Sequence, residues 1–99
     1  MIPSRDRRYM VRTLADIAIQ LDDEAEARDD MARADRTLGL ASWNDTMTLE
    51  IRRAAGQLRL VTTLLVQGGM ATGRGKQWVE GAKAYLRLVR SADNTGVIR

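Results

Sequence analysis

The pattern of apolar and polar positions divides the chain into three segments, each with the three-and-four-residue spacing of a helix. In the first, Met10, Leu14, Ile17, Ala18 and Leu21 share one face of a helix that opens near Ser4, an N-cap residue after Pro3. Only Ala25, Met31 and Ala32 continue that stripe through the acidic run 22–30, so the helix either projects into solvent or breaks there. Arg33 and Arg36 in the last turn, with Gly39 after Leu38, mark its end near residue 38. The second segment, 43–67, opens near Ser42, which stands three residues before Asp45 in a weak capping box. Met47, Ile51, Ala54, Leu58, Val61 and Leu65 form its main stripe, and Leu49, Leu60 and Leu64 form a second one beside it. A helix apolar on two sides is expected at the centre of a bundle.

Gly68-Gly69 ends that segment and begins a Gly-rich connection, 68–75. The third helix is expected over 76–92, with Trp78, Val79, Ala82, Tyr85, Leu86 and Val89 on one face. Asp93-Asn94-Thr95-Gly96 closes it, and 93–99 reads as a frayed tail. The whole is a single all-α domain, a small three-helix bundle or a helical hairpin with an extended first helix.

Composition narrows the chemistry. The 99 residues contain no Cys and no His, so thiolate metal sites, disulfides and the commonest general base at neutral pH are all missing. The segment 69–77, Gly-Met-Ala-Thr-Gly-Arg-Gly-Lys-Gln, fails as a nucleotide-binding loop. Five residues rather than four separate its first and last Gly, Gln77 rather than Ser or Thr follows the Lys, and a helix rather than a strand precedes it. A flexible connection or a single phosphate site beside Arg74 and Lys76 are the remaining readings of that segment. Carboxylates strung along one exposed helix lack the spacing of a metal loop, and no cleft of paired carboxylates is indicated. No catalytic residue, metal, cofactor or small-molecule substrate is therefore expected, and the chain reads as non-enzymatic. The longest apolar stretch falls far short of a membrane span and no signal-peptide core follows the first residues, which together with the absence of Cys reads as a cytoplasmic protein.

The net charge of +3 conceals a strong separation. Residues 1–12 carry four Arg and one acid, 13–50 three Arg and ten acids, and 51–99 nine bases and two acids. Arg5, Arg8 and Arg12 share one side of the first helix, Arg52 and Arg59 lie opposite the main stripe of the second, and Lys76, Lys83, Arg87 and Arg90 form one stripe on the third. With Arg74 these are the candidate contacts to an RNA or single-stranded DNA backbone, because the guanidinium fork suits phosphate and rows at helical spacing can follow a backbone; a plain solvated face, or a surface for an acidic protein or membrane, are the other readings of the same rows. Glu80 is the only acid on the third helix. Of the four aromatics, Tyr9, Trp43, Trp78 and Tyr85, three sit at or near expected core positions, which leaves little for base stacking. Asp22, Glu26, Asp29 and Asp30 read either as a solvated, partly self-neutralised face or as a candidate protein-docking surface for a larger subunit or a further copy. Glu24–Arg28 and Asp29–Arg33 are spaced to pair within the helix.

The helices carrying Leu49 to Leu65 and Trp78 to Val89, with Arg52, Arg59, Lys83, Arg87 and Arg90 outside, resemble the small helical subunits of CRISPR effector complexes. That resemblance implies an all-α, non-catalytic subunit that works in several copies and supports guide RNA and its target through backbone contacts. The competing reading is a purely protein-binding helical module, such as a phage structural, adaptor or inhibitor protein.

Overall fold

The computed structural model describes residues 5–39 and 43–98 and is all-α: α1 spans Arg5–Thr37, α2 Trp43–Gln67 and α3 Thr72–Ile98. The caps expected at Ser4 and Ser42 lie outside the described residues, as does Arg99. The three helices form one elongated bundle, 56 × 22 × 15 Å in its principal extents, and among the described residues no helix is long and apolar enough to cross a membrane.

α1 continues unbroken through the acidic run 22–30. The stripe that fades in the sequence is completed by Ala25, Arg28 and Ala32, all buried, while Met31 points outward. Arg28 is only 3% exposed. Its Nη2 donates to the Val89 carbonyl of α3 at 2.9 Å and its Nη1 to the Glu24 carbonyl at 3.4 Å, with the Glu24 carboxylate 3.7 Å away. A charged residue can occupy a core position here because its guanidinium is paired and hydrogen-bonded there.

The centre of the bundle is α1, not α2. α2 and α3 each pack along α1 and scarcely touch one another away from the turn that joins them. Met10, Leu14, Ile17, Ala18, Leu21 and Ala25 of α1 meet Ile51, Ala55, Leu58, Val61 and Leu65 of α2 and Val79, Ala82, Leu86 and Val89 of α3 in one core. At 33 residues, α1 is about 50 Å long and can carry both neighbours, and Ala18, Ala25 and Ala32 let them approach closely. Most of the second stripe of α2 is correspondingly uncovered among the described residues: Leu49 and Leu60 are more than 60% exposed, while Leu64 is half-buried beside Gly69.

The glycine stops fall where the sequence places them. Gly39 and Gly68 have φ of 76° and 80°, and after α2 the Gly69 N–H donates to the Leu64 carbonyl at 2.8 Å and the Gly68 N–H to that of Leu65 at 3.4 Å, a Schellman closure. Arg7 of α1 adds to it, its Nη1 donating to the Leu65 and Met70 carbonyls at 2.8 and 3.0 Å. A cation thus meets the negative end of the α2 dipole.

α3 begins at Thr72, four residues before the expected start, so the connection shortens to 68–71. The reason is Gly75, whose N–H donates to the Ala71 carbonyl at 3.0 Å. A Cβ there would stand 2.7 Å from Met10 Sδ and 2.9 Å from Leu65 Cδ2, so this glycine is the place where α3 presses onto both other helices. α3 also runs to Ile98, through the expected frayed tail. Asp, Asn, Thr and Gly are weak helix formers but each costs only about 1 kcal/mol or less, and no Pro is present to stop the helix.

Candidate nucleic-acid interface

The fold sorts the basic residues into three groups. Arg52 and Arg59 of α2 face the acids of α1: Arg59 pairs with Asp22, and Arg52 lies 3.8 Å from Asp29, which Arg33 also contacts at 3.3 Å. Arg36 similarly pairs with Asp45. Part of the acidic stretch is therefore neutralised by α2 of the same chain, and these two arginines hold α2 on α1. The expected pairs Glu24–Arg28 and Asp29–Arg33 both form. Of the four acids read as a docking surface, Asp22 and Asp29 are engaged in this way, whereas Glu26 and Asp30 face outward.

Arg74 stands apart on the other side of the molecule. It borders the open groove between α2 and α3, about 600 Å³, whose walls include Ala54, Leu58, Trp78, Ala82 and Tyr85. Burial pushes the Tyr85 hydroxyl above its ordinary value, with the Glu50 charge adding to the effect. Because residues 72–76 are helical, Arg74 and Lys76 point to different sides and the Gly75 N–H is already bonded, so the segment does not form a phosphate-cradling loop.

The third group converges along the seam between α1 and α3. Lys83 Nζ donates to the Tyr9 hydroxyl at 3.4 Å and lies 5.9 Å from the centre of its ring, Arg90 donates to Gln20 Oε1 at 2.8 Å, and Lys76 is 3.9 Å from Asp6. These contacts show the α3 stripe running beside the N-terminal half of α1, where Arg5 and Arg12 flank Tyr9 at helical spacing and Arg8 follows on the outer side. Seven cations thus stand on one side of the bundle with four acids, Asp6, Asp16, Asp23 and Glu80, a net of three positive charges. Arg5, Arg8, Arg12 and Arg87 keep their guanidinium groups without an ion-pair partner among the described residues. Two shallow depressions, of about 350 and 390 Å³, sit along the seam beside Arg87 and Tyr9. They are too open to enclose a substrate.

Tyr9 is the residue that sequence reasoning missed. It is 55% exposed, and its hydroxyl is held below the usual tyrosine value, first by the Lys83 hydrogen bond, then by one from Thr13 and by the Lys83 charge. The signal was present in its position four residues after Arg5 and three before Arg12, on a polar face. An ultraviolet titration should show Tyr9 ionising before Tyr85, and Lys83→Met should return Tyr9 toward the ordinary value while leaving Tyr85 unchanged. Coincident titration of the two tyrosines would contradict the geometry.

Among the described residues no group of three or more carboxylates is placed to hold a metal ion. Compared with protein families, with curated proteins and with solved structures, the chain matches none.

Proposed function

We propose that this chain is a non-catalytic helical subunit of a larger, ribonucleoprotein-type assembly that contacts the nucleic-acid backbone through the α1/α3 seam. The observation that carries this reading is the convergence of Arg5, Arg8, Arg12, Lys76, Lys83, Arg87 and Arg90 on one side of the bundle, with four acids among them. Rows of cations along two adjacent helices match the regular spacing of phosphates, and a surface without a deep cleft suits backbone contact rather than base reading. Tyr9 adds one aromatic face within that basic surface, enough to stack on a single unpaired base. The character of the surface agrees with that of the small subunits of CRISPR effector complexes, which would place the chain beside RNA in the cytoplasm.

The test is the salt dependence of single-strand affinity. With three to five phosphates neutralised, log affinity should fall against log salt with a slope of about −2 to −4. Changing Lys83, Arg87 and Arg90 together to Ala should flatten that slope by about 2 while the helical circular dichroism persists. Changing Arg52 and Arg59 to Ala should leave the slope unaltered, since both are engaged by Asp29 and Asp22. Failure to bind RNA or DNA at low salt would overturn the proposal.

A second reading, a protein-binding helical module, is favoured by the groove between α2 and α3 and, on a separate side of α2, by the exposed Leu49 and Leu60. An apolar groove about two turns long between antiparallel helices is a receiving surface for an amphipathic helix. It is the reading that remains if nucleic acid is not bound.

A further inference from the structure

The outer strip of α1, turned away from both α2 and α3, carries a charge inversion centred on one exposed apolar residue. Ile19 is 57% exposed. Arg12 stands seven residues before it and Glu26 seven after; Arg8 stands eleven before and Asp30 eleven after. At 3.6 residues per turn, all five lie within about 40° of one another around the helix, and all are exposed. Arg8, Arg12 and Glu26 make no ion pair with any described residue, and Asp30 has only Arg33, at 3.4 Å.

We propose that, in the protein free of nucleic acid, this strip is the interface of an antiparallel homodimer, α1 against α1 of a second copy, with Ile19 on the two-fold axis, Arg12 opposite Glu26 and Arg8 opposite Asp30; nucleic acid would compete with the second copy for Arg8 and Arg12, while Arg5, Lys76, Lys83, Arg87 and Arg90 stay outside the dimer. An interface of this symmetry must be complementary to itself. Equal spacing provides that complementarity: seven residues rise about 10 Å and eleven about 16 Å on either side of Ile19, so both pairings fall into register together. A parallel arrangement would set arginine against arginine and acid against acid. The next positions outward, Arg5 and Arg33, carry like charge, but Arg33 is already held by Asp29 and Asp30 at 3.3 and 3.4 Å. Asp22 and Asp29 do not compete for the second copy, because Arg59 and Arg52 of α2 engage them.

The contact consists of exposed ion pairs around one isoleucine pair, so it is weak and salt-sensitive. Sedimentation of the full chain, free of nucleic acid, should show a monomer–dimer equilibrium whose dissociation constant weakens at least tenfold between about 20 and 500 mM salt. Arg12→Glu alone and Glu26→Arg alone should each be monomeric at concentrations where the parent dimerises. Mixed in equal amounts, they should dimerise again, because each introduced charge then faces its opposite; the double variant R12E/E26R should dimerise by itself. Both positions are exposed, so circular dichroism should show the same helical content throughout. Ile19→Ser, which leaves every charge in place, should weaken the dimer at least tenfold, since an isoleucine is lost from the contact in each of the two copies. A parent chain that stays monomeric at millimolar concentration and low salt would overturn the proposal. So would a dimer that the single charge reversals leave intact, or a mixture that remains monomeric.

Discussion

Leu14→Ala is expected to lower the unfolding free energy by about 3–5 kcal/mol, measured by urea denaturation. Leu14 is fully buried in the apolar stripe of α1, the one helix that both α2 and α3 pack upon. The void left by the missing atoms cannot be filled by moving one neighbour without opening a gap to the other, so relaxation is limited and the cavity term stays large. Against a total stability of about 5–15 kcal/mol for a domain of this size, such a loss is a large fraction. By contrast Leu60→Ala, on the exposed stripe of α2, should change stability by about 0.5 kcal/mol or less. Equal effects at the two positions would mean that α1 is not the central helix.

Arg28→Ala should cost about 2–4 kcal/mol, a magnitude unusual for an arginine. Three effects act together. The Val89 carbonyl loses its donor across the helix pair, the Glu24 carboxylate loses its cation, and the space filled by the aliphatic stem is emptied. Arg28→Met keeps most of the packing and should recover about half of the loss. The comparison separates packing from hydrogen bonding, and a cost below about 0.5 kcal/mol for Arg28→Ala would show that the buried guanidinium is dispensable. The same residue explains why α1 is continuous. A helix crossing a stretch of nine residues with six acids would be marginal alone, and here it is held by Arg28 from within and by Arg52 and Arg59 from α2.

Much of the fold was legible because it is local. Helix type follows from apolar spacing, and the ends at Gly39 and Gly68 follow from the positive φ that glycine tolerates. The later start expected for α3 failed because glycines usually signal a connection, whereas Gly75 serves a close approach of three helices that no spacing records. The central position of α2 failed for a related reason. Two apolar stripes show that a helix could be covered on both sides, yet Leu49 and Leu60 have no covering helix among the described residues. In the candidate interface, the rows of basic residues could be read directly, but their partners could not. Arg52 and Arg59 look as free as Lys83 and Arg87 until α1 sets Asp29 and Asp22 before them.

What the sequence by itself determined is the all-α class, the three helices, most of the core and the absence of Cys and His. All of these depend on residue type and on contacts within a few turns of one helix. Only the tertiary structure decided that α1 is the spine, that Arg28 is a core residue, and that the seven cations of α1 and α3 share one side while those of α2 are neutralised. Each of these depends on how one helix is rotated against another. That rotation is set by the summed packing of many side chains distant in sequence, and a single chain's periodicity does not encode it.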